Sequence, residues 1–297
     1  MANRRAHLGM IIHTLIVAGS FPVVAAITPG IDSTVLTFWR FLSATLVFSF
    51  MLLFLKEARR RPKLRDLGRY AVVGGSYGFF FILMFEALKS TTPINTSTIY
   101  TTVPLMTALL GGLLGEPVRR LQLGVLGLSM AAAVWVIFRG DWERMATLEL
   151  SRGDMLFFLG TLNLAVHVLA LKKLQRNESK VRFTFYSLLT ATLALLVATL
   201  VKTGFPAFPN ASVWLGLAYL AVLSTAVTFW IIQFAAVRLG PNRVVAYTFL
   251  TPSVVAGMEW AMGSTDIGWA VLPGIALTLI AVCFLQMSAV SGENPSR

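Results

Sequence analysis

Long apolar runs, each close to the length of a membrane-crossing helix, follow one another along the chain with only short polar breaks between them. A helix needs roughly 20 mostly apolar residues to cross a bilayer, and the runs at 8–27, 34–55, 70–88, 96–115 and 121–138 are of that order. A second series follows at 155–171, 183–201, 213–237, 244–262 and 267–287. The pattern predicts ten spans, five per half, and no polar stretch is long enough for a separate soluble domain.

The halves repeat each other. TFWRFLSATL at 37–46 lies on TFYSLLTATL at 184–193 with an offset of about 147 residues, and Pro93 and Pro104 lie on Pro241 and Pro252 at about 148. The expected units are 1–147 and 148–297. Five is an odd number, so the second unit enters the membrane with opposite polarity. The loops agree, because the basic KEARRRPKLR at 56–65 corresponds to the uncharged TGFPAFPNAS at 203–212, whereas TPGIDS at 28–33 corresponds to the charged QRNESK at 175–180. The expectation is an all-α polytopic membrane protein, with ten transmembrane helices arranged as two inverted five-helix repeats around a central cavity, a plan shared by many secondary transporters.

Composition excludes an ordinary soluble domain: 56% of residues are hydrophobic, 13% are charged, and the mean hydropathy is +0.74. A net charge of +12 would indicate nucleic acid in a soluble protein, but here the cations mark topology and no nucleic-acid partner is expected. With the amino terminus in the cytoplasm, Arg4, Arg5, the cations from Lys56 to Arg69, Arg119, Arg120, those from Lys172 to Arg182, Arg238 and Arg243 all fall inside. Only Lys89, Arg139, Arg144, Arg152 and Lys202 fall outside, which is the positive-inside pattern with both termini cytoplasmic. Arg4 and Arg5 before an apolar run imitate a secretory signal, yet the run is longer than a signal core and is expected to stay as the first span. Cys283, the only cysteine, rules out disulfides and thiol metal clusters.

Polar groups within apolar runs are costly unless they meet a partner or a watery cavity, so they mark candidate chemistry. In the fourth span Asn95, Thr98 and Thr102 share a helical face with Tyr100 beside it, and the repeat mate carries Tyr247, Thr248 and Thr251 before Pro252. These residues line a cavity or, as the alternative, join helices, since threonine also bonds its own backbone. Pro104 and Pro252 deny a hydrogen bond to the carbonyls of Tyr100 and Thr248 and are candidate kink or gating positions. A kink satisfied by a Ser or Thr hydroxyl is the other account. Trp39, Tyr77, Phe81 and Trp230 place aromatic rings inside spans, either as packing or as a wall for flat substrates. His13, His167 and Glu259 are candidates for proton coupling, with Asn163 one turn from His167 as a substrate contact. Arg40 either snorkels to the outer surface or meets substrate. Gly74 with Gly78 forms a small-xxx-small pair suited to close helix packing. The histidines lack metal-ligand spacing, and neither a nucleophile box nor a phosphate-cradling loop is found, so no metal, cofactor or enzymatic activity is expected.

Arg40 in the second span, Pro104 followed by LMTALLGGLLGEP through Glu116 and Pro117, and Pro252 with Gly263 at the position of Gly115 resemble the EamA-type branch of the drug/metabolite transporter superfamily over essentially the whole chain. That resemblance implies ten helices forming a basket around a central cavity, and export by alternating access. Within the branch the chain is similar to the aromatic amino-acid exporters of bacterial inner membranes, although Ser264 stands where the first half has an acid after its glycine. The implied function is export of small zwitterionic metabolites, amino acids including aromatic ones, by a monomer in contact with membrane lipids. Multidrug or cationic-compound efflux by the same fold is the alternative, and it calls for a central carboxylate, for which only Glu259 is available.

Overall fold

The computed structural model describes residues 2–54, 62–115, 140–143, 150–239, 241–263 and 272–277, with isolated positions between 124 and 138 and at 269 and 280. In chain order the helices are α1 Ala2–Ile27, α2 Ser33–Phe54, α3 Leu64–Ala87, α4 Pro93–Tyr100, α5 Val103–Leu113, α6 Arg152–Leu174 and α7 Lys180–Thr203. There follow α8 Ala211–Ala218, a π-helical stretch Tyr219–Val227, α9 Thr228–Leu239, α10 Pro241–Ala246, a 3-10 turn Tyr247–Leu250 and α11 Thr251–Ala261. Among the described residues six helices are long and apolar enough to cross a membrane: α1, α2, α3, α6, α7 and the continuous 211–239. The expected fifth and tenth spans and the boundary at 147–148 lie largely or wholly outside the described residues, and the fourth and ninth are interrupted rather than continuous.

Local chemistry accounts for where helices start and break. Ser151 and Asp154 form a reciprocal capping box at the head of α6, while Thr92 and Asn210 accept the backbone N–H groups of Asn95 and Val213. Proline lacks an N–H and suits the first turn of a helix better than its middle, and Pro104 and Pro252 stand in the first turns of α5 and α11. The residues before them tighten into i→i−3 bonding: the Thr101 and Thr102 N–H groups reach the carbonyls of Thr98 and Ile99 at 3.0 Å, and the Thr251 N–H reaches that of Thr248. Both expected kinks are therefore breaks between two short helices. The Thr248 carbonyl, expected to be open, is used within its turn.

The repeat mates α2 and α7 lie side by side. Thr45 and Thr192, 147 residues apart, join through their hydroxyls at 3.0 Å. Asp32, ahead of α2, meets Lys202 near the end of α7 at 2.7 Å, so the two helices are antiparallel. A twofold rotation through the Thr45–Thr192 pair exchanges them. Their neighbours exchange as well: α3 packs on α6 as the 211–239 helix packs on α1, and α5 packs on α6 as α11 packs on α1. The closest approach falls at Gly74, where an added Cβ would overlap the Ser187 carbonyl.

The bundle has two chemically different ends. At the basic end Arg69 holds the 175–179 turn through Glu178 (2.5 Å) and the Leu174 carbonyl (2.9 Å), and Tyr70 donates to Glu178 at 2.7 Å. At the far end Ser33 and Lys89 converge on Glu86, and Thr91 with Asn95 on Asp154.

Candidate functional site

A cavity of about 720 Å³ lies inside the bundle, within the roughly 300–1,000 Å³ usual for small-molecule sites. It runs from Gln175, Lys180, Gln233 and Val244 at the basic end to Arg40, Phe81 and Met84 toward the far end. Lys180 Nζ donates to Gln233 Oε1 at its mouth. The repeat supplies opposing walls from equivalent positions: Val17, Ser20 and Phe21 of α1 are matched by Leu164, His167 and Val168 of α6, Arg40 by Ser187, and Phe81 by Phe229.

Among the described residues of this wall, three buried polar atoms have no partner: His13 Nδ1, Arg40 Nη1 and Ser187 Oγ. A buried polar atom without a partner is uncommon and asks for a water or a ligand. Arg40 is 3% exposed and sets its guanidinium carbon 3.7 Å above the centre of the Phe81 ring. Phe41 and Tyr77 extend this aromatic floor, and Tyr77 stacks on His167 at 4.7 Å and 18°. His167 Nδ1 lies 3.0 Å from the Val73 carbonyl, which can only accept, so that nitrogen carries the proton. Among the described lining residues there is no Asp or Glu.

Of the residues singled out in the sequence, His13, Arg40, Gly74, Tyr77, Phe81, Tyr100, Pro104, His167 and Thr248 line the cavity. The others stand elsewhere for identifiable reasons. Trp39 closes the far end, its indole N–H on the Ala207 carbonyl at 3.0 Å and its ring against Phe208 and Trp214. Trp230 is 49% exposed on the outer surface. Asn95 donates to Asp154 and Asn163 to the Ser76 carbonyl, so both amides are held by helix packing. Thr98 and Thr102 turn back to the carbonyls of Ile94 and Ile99 at 2.7 Å, the backbone bonding open to any helical threonine. The Tyr247 hydroxyl pairs with His7 Nδ1 at 2.6 Å, Thr251 and Pro252 are buried at the head of α11, and Glu259 is buried further along it, away from the wall. Ser187 and Phe229 escaped notice singly; the repeat alignment was the signal that could have found them.

A duplicated bundle of apolar spans enclosing one pocket at the meeting of its halves is the build of a membrane transporter. The sequence pattern of the EamA-like transporter family matches residues 4–138 and again 151–287, and the chain belongs to that family. It is similar to the uncharacterized transporter YyaM of Bacillus subtilis, 26% identical over 233 residues that cover 76% of this chain and 75% of the relative. An uncharacterized transporter of Archaeoglobus fulgidus is 27% identical over 258 residues, covering 86% and 88%. A solved crystal structure shares the fold with a TM-score of 0.68 at 19% identity, over 98% of this chain and 99% of the other. The protein is a multi-pass membrane transporter of a small molecule and not an enzyme.

Proposed function

We propose that the protein exports small zwitterionic metabolites, amino acids including aromatic ones, across the bacterial inner membrane by alternating access. In this reading ten spans form two inverted repeats, 1–147 and 148–297, with both termini cytoplasmic. The observation that carries it is the cavity: aromatic and hydroxyl-bearing, sized for a metabolite, and set between antiparallel repeat mates. The basic end faces the cytoplasm by the distribution of Lys and Arg, so the mouth at Lys180 and Gln233 loads from inside, as export requires. Tyr77, Phe81, Tyr100, His167 and Thr248 are the substrate contacts, Pro104 and Pro252 the joints of the interrupted helices, and His13 with His167 the proton-coupling candidates.

Cationic drug efflux would call for an acid in this wall, and Glu259 is not part of it. Purified protein in proteoliposomes tests the reading. Saturable counterflow of amino acids, with bulky side chains preferred, is the expected result. Counterflow of quaternary amines in place of amino acids would overturn it.

A further inference from the structure

We propose that Arg40 is the anion anchor of this cavity and that the protein selects substrates by their carboxylate and not by their amino group. Small aromatic carboxylic acids without an amine are then substrates alongside amino acids. The proposal rests on reading the cavity as the transport site. Four observations carry it.

Arg40 is 3% exposed inside an apolar span, and its Nη1 has no partner. A cation held in a membrane interior is costly unless an anion compensates it. The Phe81 ring takes one face of the guanidinium at 3.7 Å, which leaves the in-plane fork of donors for a planar, bidentate acceptor such as a carboxylate. The described wall supplies no acid to neutralise it. At the repeat-equivalent position the second half places Ser187, a neutral hydroxyl that also lines the cavity without a partner.

Inward of Lys180 at the mouth, Arg40 is therefore the one fixed cation among the described lining residues, and the described acceptors for an ammonium group are neutral. One such acceptor is the Ser187 hydroxyl oxygen, unpartnered in the wall. An amine lacking a carboxylate would bring like charge toward Arg40. An aromatic acid lacking an amine loses only a neutral contact, and it still gains the ring surfaces of Phe81 and Tyr77.

Competition against labelled L-phenylalanine counterflow in proteoliposomes of the full-length protein tests this. Phenylacetate is expected to compete at concentrations similar to those of unlabelled phenylalanine, and phenethylamine is expected not to. In Arg40→Gln the half-saturating concentration of phenylalanine is expected to rise about 10- to 100-fold, the loss of a charge-assisted bond, with partial return in Arg40→Lys. The competition in the wild-type protein keeps the test independent of whether the variants fold. Inhibition by phenethylamine with none by phenylacetate overturns the anchor and leaves amino-acid export standing, as does unchanged half-saturation in Arg40→Gln. Absence of any phenylalanine counterflow, where quaternary amines exchange, overturns both readings.

Discussion

Helices α2 and α7 are the same element used twice, and within their matched stretch they diverge at a pair of residues that both face the cavity. They cross at Thr45 and Thr192, whose hydroxyls meet at 3.0 Å. Away from that point the first copy presents Arg40 over Phe81, and the second presents Ser187 against the backbone of Gly74. A perfectly symmetric pocket would offer a zwitterion the same chemistry at both ends. Divergence at one repeat-equivalent pair gives the interior of the pocket a direction, with a buried guanidinium on the first copy and a buried neutral hydroxyl at the equivalent position of the second. Duplication supplied the frame, and substitution within it supplied polarity.

The comparison breaks most sharply at the helix contact. Gly74 lets α3 approach the Ser187 backbone so closely that a methyl group has no room, and backbone cannot yield as a flexible side chain does. Gly74→Ala is expected to cost about 1–3 kcal/mol by overpacking, read as a lower thermal midpoint in detergent. Gly75→Ala, one position along and with nothing within 4 Å of the added carbon, is the matched control and is expected to change little. A smaller effect is expected at the crossing point. Thr192 donates to the Leu188 carbonyl at 2.8 Å, which makes Thr45 the donor to Thr192. Thr45→Val is expected to cost about 0.5–1.5 kcal/mol. A cycle with Thr192→Val should return a coupling of similar size if the pair holds the repeats together; strictly additive losses would show that it does not.

The fold was legible because burial in lipid forces a simple code. Length and apolarity give the spans, and the alignment of TFWRFLSATL with TFYSLLTATL brings together the helices that meet at Thr45 and Thr192. The site was only partly legible, since a polar residue in a span has three destinations that sequence does not separate. Thr98 and Thr102 return to their own backbone, Asn95 and Asn163 bind neighbouring helices, and Ser187 faces the cavity. Helical position alone cannot rank these, because a threonine satisfied at i−4 needs no neighbour. Trp39 illustrates the same limit for aromatics: its ring lies one residue from Arg40 yet on the far-end seal with Phe208 and Trp214.

The smallest expected effect concerns the partly exposed ion pair that ties the start of α2 to the end of α7, Asp32 with Lys202. Burial pushes the Asp32 carboxyl upward, but the bonds from Lys202 and from the Thr34 N–H outweigh it and hold its pKa below the ordinary 3.8. A depressed carboxyl contributes stability that is complete above its unfolded value and disappears as pH falls through its folded one. The pair is partly exposed, Lys202 by 58% and Asp32 by 26%, so its worth is about 0.2–1 kcal/mol. Asp32→Asn keeps an oxygen for the Thr34 N–H and removes only the charge, isolating the ion pair. Its thermal midpoint is expected to sit slightly below that of the wild-type protein by the same margin at pH 7 and pH 5. The margin should close as pH drops below 3.8, when the native carboxyl takes up its proton. It should also shrink in high salt, which screens an exposed pair but leaves the Thr45–Thr192 hydrogen bond untouched.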